Sequence, residues 1–110
     1  NYFISDLIRD LGLPAIVVTR PSLGAINHSL LTVKYALHEG LEVAGIAINF
    51  CMPPDNSLAE RTNPEIIREL SHVPVIGLFP HLKPPDYMNI RAAASRHLDT
   101  NILKKHLLRD

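Results

Sequence analysis

The sequence predicts an α/β domain, a parallel sheet flanked by helices, and three observations predict it. Short apolar runs recur at Pro14–Thr19, Val43–Asn49 and Val73–Pro80, without the in-out alternation of a half-exposed strand. That pattern marks strands covered on both faces. Between them lie segments with apolar residues at helical spacing, and a helix joining two strands makes a right-handed crossover and a parallel pair. Gly and Pro punctuate the junctions.

A helical pattern begins near Ile4 and ends at Leu11, where Gly12 suits a left-handed stop. The first strand follows, then a connecting loop over Pro21–Gly24. From Ala25 to His38, Ile26, Leu30, Leu31, Val33 and Leu37 recur at helical spacing, and Gly40 stops that helix. The second strand leads into a polar loop over Pro53–Ser57. Thr62 and Glu65 stand at capping-box spacing with Pro64 between them, which predicts that a helix opens there and ends near Ser71. In the third strand Pro74 belongs at the start or edge, because proline donates nothing to a ladder. A loop spans His81–Asp86. Asn89–His106 then reads as one or two closing helices, broken near Asp99–Asn101.

Eleven Lys plus Arg balance eleven Asp plus Glu over 110 residues. A neutral chain without a basic stretch argues against nucleic acid and against a polybasic membrane patch. Apolar runs reach only about seven residues, far short of the roughly 20 that span a bilayer. The single Cys51 excludes an internal disulfide framework and fits a reducing cytosol, so the expected location is cytoplasmic. The chain opens on Asn1-Tyr2-Phe3 rather than Met, as a piece of something longer would. Three strands also make a thin parallel sheet, so residues 1–110 are expected to form part of one α/β domain with strands missing upstream. Bare sheet edges would leave the isolated piece marginally stable or self-associating.

Ligands of such sheets gather at the carboxyl ends of the strands. Here those ends are Thr19–Gly24, Asn49–Pro54 and Phe79–Asp86. The Gly24-Ala25-Ile26-Asn27 segment runs directly into a helix, whose first amides are unpaired and partly positive. Such a start suits a carboxylate or phosphate, and Asn27 reads equally as part of that site or as a simple cap. Other motifs fail. Gly40 and Gly45 have P-loop spacing, but Ile46-Ala47 stands where Lys-Ser/Thr belongs. His38-Glu39 lacks its second histidine, and six His without a Cys or carboxylate cluster give no metal site. His28 and Ser29 read as surface or packing residues, and nothing marks Cys51 as a nucleophile.

From Leu13 to Thr32 the chain resembles the dethiobiotin synthetases. Its strand Pro14–Thr19 leads into Leu23-Gly24-Ala25-Ile26-Asn27-His28, like that family's Leu-Gly-x-Ile-Asn-His segment before a helix. Gly40-Leu41, Val43-Ala44-Gly45, the strand-ending Asn49, Pro74-Val75-Ile76-Gly77 and Phe79-Pro80 continue the likeness in order. It covers about residues 5–87, and amidoligases and cobyrinate synthases share parts of it.

The resemblance implies a P-loop NTPase-like three-layer fold, present here in part, and a homodimeric ligase of biotin synthesis using ATP and Mg2+. Such enzymes carboxylate 7,8-diaminopelargonate with CO2, phosphorylate the carbamate with ATP and close the ureido ring. It further implies that Leu23, Gly24, Ala25, Ile26 and Asn27 bind the substrate carboxylate across the dimer interface. Asn49 and Phe50 would contact the nucleotide base, with Pro80, His81, Leu82 and Asp86 on a second loop. Where some members place a Tyr near the substrate tail this chain has Arg61, either a charged fork for the carboxylate or a solvated residue. The family's P-loop, catalytic lysine and magnesium carboxylates lie upstream of the matched region, so no catalytic or metal residue is expected in this chain. Rival readings are a related P-loop amidoligase or cobyrinate synthase domain, and a non-catalytic nucleotide-binding regulatory module. A purely structural interaction domain is disfavoured by the Asn-bearing strand ends.

Overall fold

The computed structural model describes residues 1–107. Its elements run α1 (Ile4–Leu11), β1 (Ala15–Thr19), α2 (Ala25–His38), β2 (Val43–Asn49), α3 (Leu58–Ser71), β3 (Val75–Phe79), α4 (Tyr87–His97) and α5 (Thr100–Leu107). The three strands form one parallel sheet in the order β1-β2-β3. With strands in chain order, right-handed crossovers put successive helices on one side, and α2 and α3 pack against each other. The α/β expectation is borne out.

The core sits under the middle strand. Ile46 and Ile48, two apart and so on one face of β2, are fully buried with Val33 of α2 and Ile67 of α3. A second cluster joins Ala36, Leu41 and Val43, with Ile8 of α1 packed against it. On α2 the buried residues are Ala25, Ser29, Val33 and Ala36. Of the residues expected to mark its inner face only Val33 is fully buried, while Leu31 and Leu37 are exposed. The small residues face the sheet because they let the helix approach it closely.

Four sequence-based expectations need correction. The first strand is not covered on both faces: Ile16 and Val18 are exposed at 44% and 65%, alternating with half-buried Val17 and Thr19. It lies at the edge of the sheet, with α2 on one side only. The two sheet edges are not equally bare, because Leu98 bridges Gly77 of β3 antiparallel and the Asp99 amide donates to the Ile76 carbonyl at 2.8 Å. The third helix opens at Leu58, not at Thr62. Ser57 is its cap, accepting from the Glu60 amide at 3.2 Å, while the Glu60 carboxylate takes the Asp55 and Asn56 amides at 3.0 Å each. Thr62 is one turn inside, donating to the Leu58 carbonyl, and Pro64 lies within the helix. The closing helices start at Tyr87, capped by Asp86, and part at Leu98–Asp99. Pro74 stands just before β3, where its carbonyl accepts from the Ile46 amide at 2.8 Å.

Candidate functional site: the strand ends and the start of helix α2

The carboxyl ends of β1 and β2 open onto the start of α2. Beyond Thr19 the chain turns through Arg20–Gly24. At Gly24 the backbone takes φ 86° and ψ −12°, a conformation that side chains oppose and glycine tolerates. This residue, and not Asn27, occupies the cap position, and it has no side chain to satisfy the amides that follow. The Ala25 amide is taken by the Ser22 carbonyl and the His28 amide by the Gly24 carbonyl, which leaves the Ile26 and Asn27 amides for water or a ligand. Asn27 is an exposed residue of the first turn.

Two polar ties hold this turn. One turn into α2, the Ser29 hydroxyl is buried and donates to Thr19 Oγ1 at 2.8 Å, pinning the helix to the end of β1. The Ser22 carbonyl accepts from the Ala25 amide at 3.0 Å and from Asn63 Nδ2 of α3 at 2.9 Å. Neither tie is visible in the local sequence, since Asn63 lies 41 residues from Ser22. Only the polar character of Asn63 beside the apolar Ile66-Ile67 pair hints at it.

A cleft of about 490 Å3 lies over these strand ends, lined by Thr19, Arg20, Leu23, Ala25, His28 and Asn49 among others. Among the described residues no carboxylate lines it, and Arg20 and the start of α2 both present positive charge. The structure thus brings Leu23 and Ala25 into one cleft with Asn49. Gly24, Ile26 and Asn27 lie beside it on the same turn, without lining it. Phe50 faces a neighbouring hollow of about 210 Å3 with Arg20, Cys51, Asp55 and Glu60. There the Ser57 backbone N–H, bonded to the Asp55 carboxylate, holds that carboxyl below its ordinary range.

The second expected loop is divided. Pro80 and Leu82 line a hollow of about 200 Å3 against Asn89, Arg96 and His97 of α4, while His81 is half-buried outside it. The Asp86 carboxylate accepts from the Asn89 amide at 2.9 Å, so it caps α4. The loops nonetheless meet at the strand ends, where Asn49 pairs with Phe79 and the Phe50 amide donates to the Phe79 carbonyl at 2.9 Å. Arg61 is exposed on α3 and lines none of these hollows. Among the described residues no group of three His, Cys, Asp or Glu is placed to hold a metal ion, and no helix is long and apolar enough to cross a membrane.

A parallel sheet flanked by helices, with a helix start and a carboxamide at adjoining strand ends, defines an α/β domain with its polar groups gathered at those ends. The family model described as "AAA domain" matches residues 1–89, and the chain belongs to that family. The match accords with the P-loop NTPase-like reading of the sheet. More particularly, the chain is 44% identical over 102 residues to the ATP-dependent dethiobiotin synthetase BioD of Thermodesulfovibrio yellowstonii, covering 93% of this chain and 42% of that protein. It is 46% identical over 101 residues to the protein of that name from Bacillus velezensis, covering 92% and 43%. The Bacillus subtilis protein of the same name is 42% identical over 104 residues, covering 94% and 44%. The resemblance read from Leu23–His28 is borne out, and the chain spans less than half the length of these curated relatives.

Proposed function

We propose that this chain is part of a single α/β domain of an ATP-dependent dethiobiotin synthetase, a ligase of biotin synthesis. In that role it supplies the side of the nucleotide pocket that meets the base and the site for the substrate carboxylate. The observation that carries the reading is the cleft over β1 and β2, where the start of α2, Arg20 and Asn49 share one space that no carboxylate among the described residues lines.

Its chemistry follows from the groups present. The Ile26 and Asn27 amides offer N–H donors to a carboxylate, and the helix dipole favours the negative charge there. In the homodimer this segment reaches substrate held mainly by the partner subunit. The Asn49 carboxamide donates and accepts at once, as an adenine edge requires, and Phe50, Pro80, His81 and Leu82 wall the base from the adjoining strand ends. Asp86, whose Oδ1 caps α4, stands at the end of that loop. Bound ATP and Mg2+ supply the phosphoryl group and its charge neutralisation. The residues described here hold the two ends of the reactants, which is the positioning share of a phosphoryl transfer.

The test uses the intact protein, assayed for ATP-dependent conversion of 7,8-diaminopelargonate and bicarbonate to dethiobiotin. Dethiobiotin is the expected product, with Asn49→Ala raising KM for ATP about tenfold, as befits loss of a paired hydrogen bond. A folded protein that binds ATP and gives no product overturns the assignment in favour of an amidoligase or a regulatory nucleotide-binding module.

A further inference from the structure

We infer that Asn63 is a positioning residue for the substrate-carboxylate segment Leu23–Asn27, a role that rests on the reading proposed above. Asn63 is 5% exposed on α3, yet its carboxamide is spent on the main chain of a loop from another crossover. The acceptor is the Ser22 carbonyl, which also takes the Ala25 amide at 3.0 Å and so closes the turn that starts α2. One oxygen therefore joins α3 to the residue immediately before Leu23.

That place matters because Gly24 leaves the turn without steric support. Its left-handed backbone is open to many conformations, and a Cβ built there would meet only His28 Cε1 at 3.8 Å. Something else has to fix the direction in which the first amides of α2 point. The Ser29–Thr19 hydroxyl pair holds the helix one turn further in. Asn63 holds the carbonyl on the near side of Gly24. A carboxylate bound by backbone amides is sensitive to displacements well under 1 Å, since hydrogen bonds weaken steeply with angle. Asn63 touches no reactant in this scheme. It acts through Ser22.

Asn63→Leu fills the space without a donor, and Asn63→Ala removes both bulk and donor. In the intact protein, hydrogen exchange at the Ala25 amide is expected to speed up at least about tenfold in both variants. In steady-state assays KM for 7,8-diaminopelargonate should rise about tenfold, with KM for ATP and the unfolding midpoint of Asn63→Leu little changed. A defect confined to stability would move both KM values or neither. Unchanged exchange at Ala25 overturns the inference outright. Faster exchange with an unchanged diamine KM overturns the link to the substrate. An intact protein that makes no dethiobiotin overturns the proposed function instead, and the exchange result alone then decides whether Asn63 positions the turn.

Discussion

Gly77→Ala offers the sharpest test of how the sheet meets the closing helices. A Cβ at this position would stand 2.0 Å from the His97 carbonyl oxygen and 3.1 Å from Leu98 Cα. Ordinary carbon contact begins at 3.4 Å, so the α4–α5 junction has to retreat by about 1.4 Å. Both obstacles are backbone atoms, which cannot rotate aside as a side-chain tip would. A retreat of that size carries the Asp99 amide out of reach of the Ile76 carbonyl, now 2.8 Å away, and undoes the Gly77–Leu98 bridge. One lost backbone bond costs about 1 kcal/mol, and forced repacking adds about 1–3. Alanine's lower chain entropy returns roughly 0.5–1 kcal/mol. The net loss is therefore about 1–3.5 kcal/mol, read from urea unfolding of the intact protein. Gly12→Ala serves as the control. Its position has φ +66° with nothing within 4 Å, so it carries backbone strain alone, about 1 kcal/mol. If Gly77→Ala costs no more than Gly12→Ala, the close approach is wrong and the reasoning fails.

Two further outcomes follow from the start of α3. Ser57→Ala deletes the oxygen that accepts the Glu60 amide and should cost about 1 kcal/mol in the same unfolding experiment, with Thr62→Ala costing less because Thr62 is not the cap. The Asp55 carboxyl is held below its ordinary range, chiefly by the Ser57 backbone N–H. A depressed folded pKa means that this turn gains stability above the unfolded value and loses it as pH falls through the folded one. An NMR titration of the Ser57 amide should therefore show its midpoint below that of an unperturbed Asp, and Asp55→Asn should abolish the step. A midpoint at the ordinary carboxylate value would contradict the bond.

The strands and crossovers were legible because burial on a parallel sheet writes itself as unbroken apolar runs. Val43–Asn49 reads from end to end as the strand it forms. The edge was harder. Val18 is as β-branched as Ile46, and only tertiary placement leaves one at 65% exposure and the other at 0%. The start of α3 shows two capping signals competing within a few residues. Ser57–Glu60 wins because Glu60 can gather the Asp55 and Asn56 amides, while Thr62 turns its hydroxyl to the Leu58 carbonyl. At the candidate site, Leu23–Asn27 was expected from the glycine turn before a helix and from its resemblance. Asn63 was not, because nothing in its neighbours encodes a bond across 41 residues.

That difference bears on how the site is built. In the proposed site the residues with recognisable spacing are those whose backbone would hold the ligand, as at Gly24 and along the first turn of α2. A backbone site gains its precision from whatever fixes the backbone, and here those supports come from elsewhere in the chain: Ser29 to Thr19 across ten residues, Asn63 to Ser22 across forty-one. Because the two ties grip opposite sides of Gly24, losing either leaves the turn hinged on the other. The variants Ser29→Ala and Asn63→Leu should thus be more than additive in loosening the Ala25 amide, the mark of two supports sharing one element. Independent effects would mean that Gly24 is already fixed by the helix itself, and that the supports are ordinary core contacts.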